Sequence, residues 1–154
     1  MAYNPKINIT SRNKALKTYV WATLTYSGET WTINNETRDR LEAFEMWSLR
    51  RMLRVPWTAR KTNTQVLQQA NTNRELLKQI KKRQLKFLGH SARKHKVELL
   101  SITGKIDGKR ARGRQRQKYI DRVIINNNLT CRAPELIHMT ENRRQWRDMT
   151  AQVT

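Results

Sequence analysis

Hydrophobic and polar positions follow a helical period along much of the chain. Between Asn35 and Pro56, apolar side chains recur every three to four residues, which is typical of a helix with one buried face. Asn35 or Thr37 can cap this helix, acids occupy its first turn, arginines occupy its last turn, and Pro56 ends it. We predict a helix over about 36–54. Its apolar stripe consists of Leu41, Phe44, Trp47 or Ser48, Met52 and Val55.

Two capping-box patterns predict the next two helices. In Thr62–Gln65 and Thr72–Glu75, a hydroxyl and a reaching Gln or Glu can satisfy the free backbone amides of a first turn. We therefore predict helices over 63–70 and 73–94, the second with an almost wholly cationic solvent face. The apolar side of that helix consists of Leu76, Leu77, Ile80, Leu85 (or Gln84) and Leu88.

The first 35 residues fit two structures. Aromatic and β-branched residues around Ser27–Gly28 are compatible with a short hairpin or with a helix that ends near Tyr26. The helix, over about 13–25, is favoured because Ser11 can cap it. Its apolar positions at helical spacing are Leu16, Val20 and Leu24.

The remaining pattern predicts a mainly α fold, a small helical bundle with a basic Gly/Arg arm and a short helical C-terminal tail. A helix is expected within 117–126, and a last helical stretch is expected after Pro134. Trp47 and Trp146 lie on apolar helical faces and are expected in the core. The predicted divisions are a helical module at 1–103, the arm at 104–118 and the tail at 119–154.

The net charge of the chain indicates the class of partner that it binds. The 154 residues contain 32 Lys and Arg against 12 Asp and Glu, a net charge of +20, which points to a polyanion. A single cysteine excludes an internal disulfide, and the longest charge-free run, Thr18 to Gly28, is too short to span a bilayer. We expect an intracellular protein, nuclear or cytoplasmic, without a membrane partner.

The cations are concentrated in the predicted third helix. From Met46 to Val97 the chain has fourteen Lys or Arg and one acid, Glu75. Like charges three to four residues apart on a helix repel each other, so a counter-charge from outside is implied, although a merely solvated face is the alternative. The candidate phosphate contacts on this helix are Lys78, Lys81, Lys82, Arg83 and Lys86.

The arm from Lys105 to Lys118 has seven cations against one acid. In an extended chain its alternate arginines would lie on one side at steps of about 6.6 Å, close to the phosphate spacing along one nucleic-acid strand. A nuclear-import signal or a flexible linker is the alternative. The candidate phosphate contacts of the arm are Lys109, Arg110, Arg112, Arg114, Arg116 and Lys118.

The chain lacks the patterns typical of catalytic sites. The acids after Met46 are scattered rather than clustered as a two-metal site requires, and no P-loop or nucleophile elbow occurs. His90 and His95 have no third metal ligand nearby, and Cys131 has no motif around it. We expect no catalytic activity, metal, cofactor or small-molecule substrate.

Four segments in order resemble a known family: SGETWTINNETRDRLEAFEMWSLRRMLRVPWTARKTN, LLKQIKKRQLKFLGHSAR, GKIDGKRARGRQRQKYID and ENRRQWRDM. Together, from about Trp21 to Met149, they are similar to the region that follows the polymerase core in non-LTR retrotransposon reverse transcriptases of the RTE or CR1-like kind. The resemblance implies thumb positions followed by a basic extension that holds template RNA and target DNA. The implied thumb positions are Trp31, Glu42, Phe44, Trp47, Arg50, Arg51 and Trp57, and Gly89 and His90 belong to the LGH motif.

The arm departs from the family pattern. The family reads GRPR followed by a tryptophan, where this chain has Gly113-Arg114-Gln115-Arg116 and Tyr119. Loss of the proline removes a rigid bend suited to a minor groove, so phosphate contact is expected rather than A·T preference. The resemblance thus implies a nucleic-acid-binding C-terminal fragment of an RNA-directed DNA polymerase, without its active site, that contacts RNA, DNA or both. The alternatives are a co-opted helix-turn-helix DNA-binding regulator and a non-functional remnant of a transposable element.

Overall fold

The computed structural model describes residues 7–94, 97–104, 112–113 and 117–152. This part of the chain is helical and has no β-strand, which confirms the mainly α prediction and excludes the N-terminal hairpin. A π-helical segment, Leu16–Trp21, joins the first two helices, so helical structure runs from residue 9 to 24. The helices are α1 Ile9–Ala15, α2 Ala22–Leu24, α3 Asn35–Leu53, α4 Asn63–Ala70, α5 Leu76–Lys94, α6 Val97–Thr103, α7 Tyr119–Asn126, α8 Ala133–Glu141 and α9 Arg143–Gln152.

The chain divides into two compact units, and the division differs from the one predicted from the sequence. The first unit comprises Met1–Tyr26 and Asn35–Leu77, and the second comprises Ser27–Asn34 and Lys78–Thr154. The predicted divisions at 103/104 and 118/119 both fall inside the second unit. The segment Ser27–Asn34 belongs to the second unit because side chains of α5 and α7 bind its backbone, as described below.

In the first unit, α1 begins earlier than the sequence predicted. The side chain of Asn8, not Ser11, caps it by accepting a hydrogen bond of 3.2 Å from the amide of Thr10. Asn13 then donates a 2.7 Å hydrogen bond to the carbonyl of Ala70 at the end of α4. This side-chain contact joins residues 57 positions apart and fixes α1 to α4.

The buried face of α3 differs from the predicted stripe. The helical spacing allowed either Trp47 or Ser48 on the buried face, and the structure buries Ser48. Trp47 is 57% exposed, so the prediction that it lies in the core is wrong. Its ring lies instead beside Phe44, with 5.8 Å between ring centroids, and beneath the guanidinium of Arg51. The buried residues of α3 are Leu41, Glu45, Met46, Ser48 and Leu49.

Of the two predicted capping boxes, one is confirmed and one is replaced. Thr62 and Gln65 form the complete reciprocal pair at the start of α4. At α5 the helix begins at Leu76 rather than Asn73, and the amides of Glu75 and Leu76 donate to the buried carboxylate of Glu45 at 2.8 and 3.1 Å. A side chain thirty residues away thus caps α5 in place of Thr72.

The second unit has a continuous apolar core. α5, α6, α7, α8 and α9 all contribute to it, and the indole of Trp146 is only 4% exposed, as predicted. Asn142 separates the predicted last helical stretch into α8 and α9, because its side-chain oxygen accepts hydrogen bonds from the amides of Arg144 and Gln145. The core residues are Leu85, Leu88, Ile102, Ile120, Val123, Leu136 and Trp146.

Polar side chains of α5 and α7 hold the segment Ser27–Asn34 within the second unit. Gln84 is fully buried and donates to the carbonyl of Trp31 at 2.8 Å. Tyr119 donates its hydroxyl hydrogen to the carbonyl of Glu29, and Asn126 donates to the carbonyl of Ile33 at 3.1 Å. Burial raises the pKa of the Tyr119 phenol, so this hydroxyl remains a donor at ordinary pH.

Candidate functional site

A row of basic side chains winds along α5. Side chains four residues apart on a helix follow one another at steps of about 6 Å along the axis and about 40° around it. In α5 this spacing connects four lysines and a histidine over about 24 Å, and the row turns by about 160° around the helix between its first and last members. We call this set the α5 row: Lys78, Lys82, Lys86, His90 and Lys94.

The row opposes the buried side of the same helix. Leu76, Ile80, Gln84 and Leu88 are all fully buried and follow another four-residue series. In the α5 row, by contrast, Lys82 is half-buried and the other four members are exposed. The amphipathic pattern predicted from the sequence is therefore confirmed, and the basic residues are placed where a large ligand can reach them.

The structure separates the five cations that the sequence grouped together. Lys78, Lys82 and Lys86 belong to the α5 row, whereas Lys81 and Arg83 are half-buried and lie off it. Lys81 precedes the fully buried Leu85 by one turn, so its stem lies beside the core rather than on the outer side of the helix. The sequence analysis did not include His90 or Lys94, which four-residue spacing alone could have found.

The lysines of the row have no acidic partner in the part of the chain that the structure describes. All nineteen residues of α5 lack Asp and Glu. The salt bridges among the described residues connect other groups, and none includes Lys78, Lys82, Lys86 or Lys94. Neighbouring lysines one turn apart repel by a few tenths of a kcal/mol, so the row stores a small repulsion that an anion would relieve.

α9 crosses α5 beside this row. A Cβ built on Gly89 would lie 2.2 Å from Nε1 of Trp146, so only glycine allows the indole to come this close. The same Nε1 donates a 3.1 Å hydrogen bond to the carbonyl of Leu85. Gly89 lies directly before His90, so α9 touches α5 at the level of this member of the row along the helix axis.

This crossing adds arginines that the sequence analysis did not select. Arg143 and Arg147 flank Trp146 on α9, and Arg144 lies on the same helix. All three are exposed, and none forms a salt bridge with a described residue. They belong to the helix that touches α5 through Trp146, and no local sequence signal could have identified that contact.

The basic arm is described only in part. Arg112 and Lys118 are exposed. The stem of Lys118 lies near Gly104, 3.5 Å from the position that a Cβ would take there. The predicted contacts Lys109, Arg110, Arg114 and Arg116 lie outside the described residues, so the expected alternation of arginines remains a prediction.

The described residues bring no three His, Cys, Asp or Glu side chains into a cluster that could hold a metal ion. His90 belongs to the α5 row, and His95 is outside the described residues. Cys131 is half-buried, and burial raises the pKa of its thiol, which disfavours the reactive thiolate. None of the described helices is both long and apolar enough to cross a membrane.

No protein-family model, curated protein or solved structure matches this chain.

Proposed function

We propose that this protein binds nucleic acid through its phosphate backbone, with the α5 row as the central contact. The observation that carries the proposal is a helix with four lysines at four- and eight-residue spacing, no acid of its own and no salt bridge from these lysines to the described residues. Phosphates are the anions that occur in regular series, and Lys and Arg are their usual protein partners. The retroelement resemblance supports the same ligand, as a C-terminal fragment of a reverse transcriptase that holds template RNA or target DNA.

The α5 row favours backbone contact over base recognition. Base-specific contacts in a major groove come mainly from Arg, Asn and Gln in bidentate geometry, whereas lysine acts as a point charge. Apart from its lysines, the outer side of α5 offers only Gln79 and His90 as exposed polar groups. A helix-turn-helix regulator would need more base-contacting side chains than these two. We therefore expect the protein to bind different nucleic-acid sequences with similar affinity.

The test is the salt dependence of binding. Each neutralised phosphate contributes about 0.9 to the slope of log K against log salt on duplex DNA, so about six contacts give a slope near −5. Replacing Lys78, Lys82 and Lys86 with Gln together removes three of them. We expect the slope to flatten by about three units in filter-binding titrations with random-sequence duplex.

A charge-matched variant separates the row from net charge. Lys14→Gln, Arg38→Gln and Arg40→Gln together also remove three positive charges, but Arg38 and Arg40 already pair with Asp39 and Glu36. This variant should change the slope by less than about one unit. Equal flattening by both triple variants would show that only net charge matters, and a wild-type slope near zero would overturn the proposed function.

Competition with random DNA tests the regulator alternative. A sequence-reading protein prefers its site by about a thousandfold or more over random sequence. We expect selected and random duplexes to compete within about tenfold of each other. A site recovered by selection that resists a thousandfold excess of random DNA would favour the helix-turn-helix regulator.

A further inference from the structure

The loop between α3 and α4 displays a tryptophan that nothing in the described chain covers. Trp57 is 96% exposed, the largest exposed fraction among the large apolar side chains that the structure describes. It opens a short 3-10 turn, Trp57–Ala59, directly after the extended Pro56. An indole gains free energy when it leaves water, so a ring displayed in this way is suited to a partner with a flat apolar face.

Hydrogen bonds fix the loop at both ends. The guanidinium of Arg50, on α3, donates to the carbonyl of Lys61 at 3.1 Å and to the side-chain oxygen of Asn63 at 2.9 Å. At the near end, the amide of Val55 donates to the carbonyl of Arg50 at 3.0 Å. Trp57 is therefore presented from an anchored turn, which lowers the entropy lost when a ligand binds.

Two arginines in the loop adopt an uncommon backbone conformation. Arg54 and Arg60 have φ values of 53° and 44°, in the left-handed region that favours glycine. Such a conformation costs free energy for a residue with a side chain, and it is typical of sites where the surrounding structure imposes it. Together these residues bracket the turn that carries Trp57.

The surroundings of Trp57 are cationic rather than apolar. No acid occurs from residue 46 to 74, and the loop itself contributes Arg54, Arg60 and Lys61. A protein-binding hot spot usually has other apolar side chains around its central aromatic residue. Here the neighbours Thr58, Ala59 and Arg60 are small or polar and exposed, so charge complementarity favours a polyanion that also carries flat rings.

The first unit repeats this combination on α3. Trp47 is 57% exposed, and the guanidinium of Arg51 lies 5.9 Å from its ring centroid. An aromatic ring for the base and a cation for the phosphate are the two elements of single-strand binding surfaces.

We propose that Trp57 is a stacking platform for an unpaired base of single-stranded RNA or DNA, with the loop cations contacting the adjoining phosphates. The inference deepens the proposed function and depends on it, because it names single-stranded nucleic acid as a ligand of the first unit. Duplex DNA keeps its bases stacked inside and cannot use this ring without local opening.

The experiment compares three ligands with the full-length chain and its Trp57→Ala variant. The ligands are a single-stranded oligonucleotide, a duplex of equal length, and an abasic single strand with the same number of phosphates. We expect Trp57→Ala to weaken binding of the single strand by about tenfold and to leave the duplex and abasic strand within about twofold. Trp57→Phe, which keeps a ring, should recover most of the lost affinity.

A second exposed aromatic residue provides the control. Tyr26 is 83% exposed in the same unit but lies three residues before Glu29 rather than among cations. Tyr26→Ala should leave all three affinities unchanged. Because Trp57 makes so few contacts, its variant should also keep the wild-type melting temperature.

The outcomes separate the two proposals. Wild-type protein that binds all three ligands with a steep salt slope, together with an unchanged Trp57→Ala variant, would overturn the stacking site and leave the proposed function intact. Wild-type protein that binds none of them would overturn both. Binding to anionic phosphatidylserine vesicles is measured in parallel. If Trp57→Ala loses binding to these vesicles while its oligonucleotide binding equals that of wild type, the stacking site is overturned in favour of a lipid surface.

Discussion

The two units use the same charged residue types in opposite ways. The first unit has twelve Lys or Arg and five acids, a net charge of +7, whereas the second has twenty against seven, a net charge of +13. In the first unit every acid has a structural partner. Four form salt bridges, Glu36 with Arg40, Asp39 with Arg38, Glu42 with Arg74 and Glu75 with Lys17, and Glu45 caps α5.

In the second unit the fold depends mainly on uncharged contacts. Its core is apolar, and neutral side chains such as Gln84 and Tyr119 make long-range hydrogen bonds, although the guanidinium of Arg93 also donates one, to the carbonyl of Thr140. Lys78, Lys82, Lys86 and Lys94 of the α5 row and the arginines of α9 form no salt bridge with the described residues. The comparison teaches that net charge alone does not separate structural charge from candidate ligand contacts, because the first unit is also positively charged but its acids are used in salt bridges and a helix cap.

The largest expected effect tests whether close packing stabilises the second unit. Gly89→Ala places a methyl group against the indole of Trp146, which is buried and held by its hydrogen bond to Leu85. The ring cannot move aside without losing that bond. We expect the free energy of unfolding to fall by about 2–3 kcal/mol in urea titrations, although alanine favours a helix by about 1 kcal/mol.

Gln79→Ala is the matched control, since Gln79 is exposed on the same helix. It should change stability by no more than about 0.5 kcal/mol. A Gly89→Ala variant as stable as wild type would contradict the close contact between α5 and α9 at Gly89.

A smaller effect tests whether charge stabilises the first unit. Glu45→Ala leaves the amides of Glu75 and Leu76 without an acceptor, at a cost of about 1–2 kcal/mol. Those two amides should lose protection in hydrogen exchange. Glu45→Gln keeps a carbonyl oxygen in place and should retain most of the protection, and equal loss in both variants would contradict the capping role.

Glu45 also predicts a pH dependence with a definite sign. Burial raises the pKa of its carboxyl above the ordinary value of 4.5, against the opposing effect of its two amide donors. The folded state therefore binds this proton more tightly than the unfolded state, and the associated stability is lost as pH rises through the raised value. The difference in unfolding free energy between wild type and Glu45→Gln should decrease as pH rises from about 4.5.

Local patterns were sufficient to predict most helices, but not every cap or which side chains are covered. Periodicity predicted α3 and the apolar side of α5, and the Thr62–Gln65 capping box predicted α4, because these signals lie within or next to one helix. The cap from Glu45 and the position of α9 depend on contacts between residues about thirty to sixty positions apart, whereas Trp47 was misplaced because the helical spacing fits Ser48 equally well. Such contacts leave no local signal, so the sequence identified the α5 lysines and missed the arginines of α9.

The smallest expected effect is the one that best separates a binding surface from a structural one. If the α5 row were structural, replacing Lys78, Lys82 and Lys86 with Gln would destabilise the fold. Glutamine is nearly as good a helix former as lysine, and its neutral side chain removes repulsion between neighbours one turn apart. We therefore expect the triple variant to be as stable as wild type or more stable by a few tenths of a kcal/mol, in the same urea titrations.

This gain should disappear as salt rises, since screening already weakens repulsion between exposed charges near 0.15 M. The charge-matched variant with Lys14, Arg38 and Arg40 replaced breaks two exposed salt bridges and should lose up to about 1 kcal/mol. If, at low salt, the charge-matched variant is less stable than wild type and the row variant is more stable, the replaced charges stabilise the fold in the first unit but not in the second. A clear loss of stability in the row variant would mean that these lysines hold the fold, and a phosphate ligand would no longer be needed to explain them.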